Sequence, residues 1–237
     1  MRKEKILGLL SPAYLLLGIM GWGLHKWLFV SQVEDPVSGL LPSGTVPEIL
    51  LWVLTGCAVA AAFALTRHTQ VTEGSPVAGA LSSAFLAAGI LTLLLEPTKG
   101  PDALVLVYRI FCVLTAVSLL VSAVMQLLKK KPFFLLSAAP CVLSVLVLLE
   151  YYQFYSDVPQ LMNYVLGLGA VLCLTLNAYH RMARAAGLPA SAFSPVTGLL
   201  AVYFCAAAGS QEIFGSFFCA SAVWVAAEMI RLRLTEE

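Results

Sequence analysis

The most chemically loaded position in this sequence is a guanidinium set inside an apolar run. Arg109 stands about two turns into the segment 103–128, where it is the sole charged residue among mostly Leu, Val, Ile, Ala and Phe. In hydrocarbon such a charge costs from roughly 3 to over 10 kcal/mol unless it is paired or reaches water. Four carboxylates end or begin neighbouring apolar runs on the side where Arg109 lies: Glu48, Glu96, Glu150 and Glu212. Two chemistries follow. Arg109 with one of these carboxylates forms a structural ion pair, or the group lines an outward-facing polar site that takes a ligand or an ion. Snorkelling of the Arg109 head to the membrane surface is the third possibility. Glu48 has a simpler explanation in its place in the first turn of a helix, where the positive end of the dipole favours a carboxylate. Asn163 and Asn177 are expected to make polar contacts between helices. Glu228 is expected to pair with Arg231 at i, i+3.

Other reactive side chains point to no catalysis. His25, His68 and His180 fall on both sides of the expected membrane, so no shared metal or haem site is expected, and no cofactor. The six cysteines (57, 112, 141, 173, 205 and 219) all lie within apolar runs and none forms CxxC, which fits small buried hydrophobes rather than disulfides or zinc ligands. There is no HExxH, Walker A, GxSxG or paired intramembrane aspartate, so no enzyme is expected.

The elements that must position these groups are long apolar helices. Hydrophobic residues make up 60% of the 237-residue chain and charged residues 11%, with a mean hydropathy of +0.89. Water-soluble domains are about half apolar and a quarter charged, so a soluble fold is excluded on composition. Charges gather in short clusters between apolar runs of membrane-crossing length. A net charge of +1 with no basic tract gives no reason to expect nucleic acid.

Eight spans are expected, near 6–30, 47–66, 76–95, 103–128, 132–150, 159–179, 195–209 and 213–230. The first follows a basic cluster (Arg2, Lys3, Lys5) but lacks an A-x-A-like cleavage site, so it reads as an uncleaved helix. Pro47, Pro76, Pro159 and Pro195 open four of the spans in the favoured first-turn position. Small residues recur at spacing four in the second span (Gly56, Ala60, Ala64) and the third (Gly79, Ser83, Ala87), a pattern that lets helices approach closely. Trp22, Trp27, Trp52, Tyr151, Tyr152 and Tyr155 suit an outer aromatic belt. The last two spans are the shortest; taken as one interrupted segment they would give seven helices and an outer C-terminus, which the placement of the basic residues opposes.

Residues 75–89 and 194–208 match without gaps in eight of fifteen positions, beginning with Ser75-Pro76-Val77 and Ser194-Pro195-Val196. Pro47-Glu48-Ile49-Leu50 pairs with Pro159-Gln160-Leu161-Met162 in the same order. The chain therefore reads as an N-terminal four-helix half, 1–131, and a C-terminal half, 132–237, joined at Lys129-Lys130-Lys131-Pro132. Each half has an even number of spans, so the halves enter the membrane in the same sense, as parallel repeats. With the N-terminus inside, 11 of the 14 basic residues fall on the inner side, which places both termini in the cytoplasm.

The fold class expected is thus an all-α, polytopic integral membrane protein of about eight helices. The expected function is that of a small-solute carrier or permease with an outward polar site around Arg109. The alternative is a non-catalytic partner or sensor subunit whose buried charges are structural. The partners expected are the lipid bilayer and a second protein or a second copy of the chain. Ser156-Asp157-Val158-Pro159-Gln160 resembles the Pro-Gln turn of PQ-loop transporters over about five residues. Those proteins use three-helix repeats and the matching position here is Pro47-Glu48, so no function is carried across. In general style the chain is similar to multi-pass proteins of the bacterial inner membrane.

Overall fold

In a computed structural model the described residues are 10–31, 44–66, 69–71, 76–98, 101–130, 133–155, 161–189, 191, 193–229 and 232–234. Among them are eight α-helices: α1 (Leu10–Ser31), α2 (Val46–Thr66), α3 (Pro76–Thr92), α4 (Asp102–Leu127), α5 (Phe134–Tyr155), α6 (Leu161–Ala185), α7 (Ser194–Ala208) and α8 (Gly215–Met229). Apart from turns, the described residues are helical except for one two-stranded ribbon. In that ribbon β1 (Thr69–Val71) pairs antiparallel with β2 (Leu232–Leu234). Three helices, α2, α4 and α5, are long and apolar enough to cross a membrane; α7, α8 and most of α3 are apolar but shorter. These features suggest membrane association.

Burial is graded from the centre outward. In α7 every residue but Thr197 and Phe204 is buried, and α8 is buried over most of its length. The outer helices present large apolar side chains instead: Leu106, Val113, Val117, Leu120 and Val124 form one exposed stripe down α4. Two glycines permit the closest approaches to the central pair. A methyl group on Gly18 of α1 would stand 2.5 Å from Ala206 Cβ and 2.8 Å from the Tyr203 carbonyl oxygen of α7. Gly89 of α3 lies in the same way against Ala220 of α8. Side-chain bonds add to this packing: Tyr14 donates to the Ala58 carbonyl at 2.7 Å, and Thr55 and Tyr203 share a hydrogen bond of 2.8 Å.

Cross-chain contacts show that successive helices alternate in direction. At one end Arg181 near the end of α6 pairs with Glu228 near the end of α8, and Ser11 of α1 donates to the Ala226 carbonyl. The β1–β2 ribbon joins the chain just after α2 to the chain just after α8 at that same end. At the other end Thr92 closes α3 against Ser216 at the start of α8, 2.7 Å apart. An apolar crevice between α3, α5, α6 and α8, bounded by Ile90, Pro140, Leu174 and Trp224, holds about 10 Å³, room for one water and no solute.

Two expectations change. The fifth span does not stop at Glu150: α5 continues to Tyr155, so Glu150 and Tyr151 face inward and are buried. Tyr151 packs on Phe214, just before α8, and on Phe218 of α8 instead of joining the surface belt, while Trp22, Trp27, Trp52 and Tyr152 are exposed. Glu228 pairs with Arg181, since the ends of α6 and α8 meet, while Arg231, the partner expected for it, lies outside the described residues.

Candidate functional site

The α7–α8 turn, residues 209–214, is where the polar groups of this end of the protein converge. It connects two helices of only fifteen residues, so it stops short of the ends of the longer helices around it. Ser210 Oγ meets His25 Nδ1 of α1 at 2.6 Å and also donates to the Ala207 carbonyl at 3.1 Å. The Gln211 amide donates to the Tyr151 hydroxyl of α5 at 3.0 Å. Phe214, at φ 64°, donates its backbone N–H to Glu96 Oε2 at 2.8 Å. One turn therefore engages α1, α5 and the segment that follows α3.

Sequence and packing explain why these groups meet. Gly209 leaves α7 where a side chain would strike Cys219 Sγ, and a Cβ on Gly215 would crowd the Gly209 carbonyl. Phe214 holds a left-handed backbone conformation that is unfavourable for a bulky residue, and burial of its ring together with the Glu96 bond stabilises it there. Glu96 satisfies a free N–H at the start of α8, the role a capping side chain usually plays. Burial raises the Glu96 carboxyl above the usual carboxylate range, and the Phe214 N–H opposes part of that rise. Gly167 of α6 abuts the Tyr151 hydroxyl, so any side chain there would displace the Tyr151–Gln211 bond.

The residues singled out by sequence divide between this cluster and the periphery. Glu150 is wholly buried, and Tyr108 of α4 lies within electrostatic reach of both Glu150 and Glu96. Tyr155 lies within reach of Glu96 and of Glu212, which is itself exposed. Glu48 accepts the Gly44 N–H at 2.7 Å, in keeping with its place at a helix start, and takes no part in the cluster. Arg109 is exposed on the outer face of α4 and makes no ion pair among the described residues, so the structure does not bring it to Glu48, Glu96, Glu150 or Glu212. The reason is helical phase: Tyr108 occupies the inward face and Arg109 is turned away from it. Asn177 is buried in α6. The side chain of Asn163, and all of His68, lie outside the described residues.

Sequence reasoning missed His25, Ser210 and Gln211 as a group. Their separation along the chain, 185 residues for His25 and Ser210, leaves no local spacing to detect. At the opposite end Arg181 lies 4.8 Å from the centre of the Trp224 ring while paired with Glu228, a cation–π contact added to an ion pair. Among the described residues no group of three or more His, Cys, Asp or Glu is placed to hold a metal ion. Comparison with known proteins finds no matching family model, no matching curated protein and no matching solved structure.

Proposed function

We propose that the chain is an eight-span protein of the cell membrane, in the style of the bacterial inner membrane, serving as a non-catalytic partner or sensor subunit whose buried charges are structural. The single observation that carries this reading is the α7–α8 turn, where Ser210, Gln211 and Phe214 each bond a different neighbouring segment. A central hairpin tied in this way, beside a crevice between α3, α5, α6 and α8 that admits only one water, supports a structural use of these polar groups over a solute site. The alternation of helix direction and the basic residues expected on the inner side support both termini in the cytoplasm. Duplication of a four-helix unit is supported by Gly79 and Gly198, equivalent in the sequence match. Each closes on a flexible side chain near the end of the next helix, Gln126 for α3–α4 and Met229 for α7–α8. The exposed stripe Gly56, Ala60 and Ala64 of α2 is available to another membrane helix, from a second protein or a second copy.

The test is extraction from native membranes in mild detergent, followed by native mass spectrometry. A defined complex with a second chain is the expected result. A monodisperse monomer that takes up a solute on its own in vesicles would overturn the subunit reading. Reporter tags at the two ends are expected on the same side of the membrane.

The second reading is a small-solute carrier with an outward site around Arg109, Glu48, Glu96, Glu150 and Glu212. What favours it is the gathering of Glu96 and Glu150 about Tyr108. It requires uptake that disappears in Arg109→Ala or Glu150→Gln while the protein still folds.

A further inference from the structure

Arg109 and Asp102 share one face of α4. Seven residues separate them, which returns the helix to nearly the same direction after a rise of about 10 Å. Both are exposed, and neither forms an ion pair among the described residues. Leu106 lies between them on this face, and below Arg109 along the same line run the exposed side chains of Val113, Val117, Leu120 and Val124. Such a face, large and without glycine or alanine, suits acyl chains better than a neighbouring helix, since membrane helices meet over small residues. The small-residue stripe lies elsewhere, on α2.

Depth and direction decide what the two charges meet. At 26 residues α4 is about 39 Å long, which exceeds the roughly 30 Å hydrocarbon core and brings Arg109 close to its boundary. Side chains on a helix lean toward its N-terminus, and the N-terminus of α4 is at the membrane surface. The guanidinium of Arg109 therefore rises toward the headgroups, with the Asp102 carboxylate farther out on the same line. A positive group below a negative one complements a zwitterionic headgroup, with phosphate on the guanidinium and ammonium on the carboxylate. We propose that Asp102 and Arg109 form a surface site for the headgroup of an aminophospholipid, phosphatidylethanolamine, whose chains lie along the apolar stripe beneath. The inference rests on the membrane reading given above.

The experiment is native mass spectrometry of the full chain released from nanodiscs containing equal phosphatidylethanolamine and phosphatidylglycerol. The wild-type protein is expected to retain phosphatidylethanolamine in preference. Arg109→Gln should lower that retention about tenfold, the scale of one charge-assisted hydrogen-bonded contact. Asp102→Asn should lower retention of phosphatidylethanolamine and leave phosphatidylglycerol unchanged. Arg109→Lys should restore part of the loss, since a lysine meets phosphate as a point charge. Unchanged retention in Arg109→Gln would overturn the site. A wild-type preference for phosphatidylglycerol that Asp102→Asn does not alter would overturn the assignment of the ammonium to Asp102. So would a photo-crosslinker at position 109 that captures a protein carboxylate partner in place of lipid. Unfolding temperatures of the variants close to wild type establish that the exposed positions do not alter the fold. If the chain instead enters the aqueous phase on detergent phase separation, the membrane reading itself fails, a result distinct from membrane partitioning with unselective lipid retention.

Discussion

Substitution of Gly18 by alanine measures how closely α1 approaches the centre of the bundle. The added methyl would stand 2.5 Å from Ala206 Cβ and 2.8 Å from the Tyr203 carbonyl oxygen. Carbon atoms attract best at about 3.5–4.0 Å, so the two helices must part by roughly 1 Å. Little around Tyr203 can yield, since its hydroxyl is bonded to Thr55 and its ring is fully buried. Overpacking of this kind costs about 1–3 kcal/mol. Alanine also raises helix propensity over glycine by about 0.8–1 kcal/mol, so a raw comparison understates the clash. Gly23 supplies the correction, because it lies on the same helix with nothing within 4 Å of the position its Cβ would take. The difference between Gly18→Ala and Gly23→Ala isolates the steric effect at about 2 kcal/mol. For a chain of this size that is a gap in unfolding temperature of about 4–8 °C. The assay is thermal unfolding in detergent, followed by the near-ultraviolet signal of the buried aromatics. Equal temperatures for the two variants would refute the close α1–α7 contact, and with it the placement of His25 beside Ser210.

Three further outcomes follow from the same contacts. Glu96 has its carboxyl raised by burial, so its contribution to stability is fully present below the usual carboxylate range and is lost as pH rises through its raised value; Glu96→Gln, which keeps an acceptor for Phe214, should flatten the unfolding temperature across that window. At the end of the bundle opposite the α7–α8 turn a double-mutant cycle on Arg181→Ala and Glu228→Gln should give a coupling of about 1 kcal/mol, because both side chains are largely withdrawn from solvent and Arg181 also lies on Trp224; a coupling of zero would show the pair to be incidental. Tyr203→Phe and Thr55→Val should each cost about 0.5–1.5 kcal/mol by equilibrium unfolding and cost no more together than the larger of the two, since each removes the same bond.

Helix positions were legible in the sequence because proline and charge mark their ends, as Pro47 opens α2 and Pro195 opens α7. Glu48 was legible for the same local reason. Inward and outward faces were not. Where both lipid and core are apolar, periodicity carries little contrast, so Tyr108 and Arg109, adjacent in sequence, gave no sign of which faced the centre. The same loss of contrast hid the two uses of one motif: the small residues of α3 meet α4 and α8, while those of α2 face outward. The extension of α5 was obscured by Glu150, since a charge near the end of an apolar run reads as a boundary until a buried place for it is seen. The cluster on the α7–α8 turn could not be found by spacing, because its members come from four distant segments.

Helix length explains why that cluster is needed. At fifteen residues each, α7 and α8 rise about 22 Å, less than the roughly 30 Å hydrocarbon core. His25 stands six residues before the end of α1 and Tyr151 four before the end of α5, so the turn they hold is recessed by about 6–9 Å from those helix ends. In the eight-span arrangement proposed above, non-helical backbone at such depth is tolerated only where protein encloses it, because lipid offers its N–H and C=O groups no partner. Ser210 and Phe214 are accordingly buried, and Glu96 reaches in to the Phe214 N–H, which the helix itself leaves without an acceptor. A carboxylate, an imidazole and a tyrosine at one point in an apolar protein resemble the makings of a reactive centre. Here each is engaged with a segment that a shortened hairpin would otherwise leave unsatisfied, and the polar residues follow from the geometry of the turn they enclose.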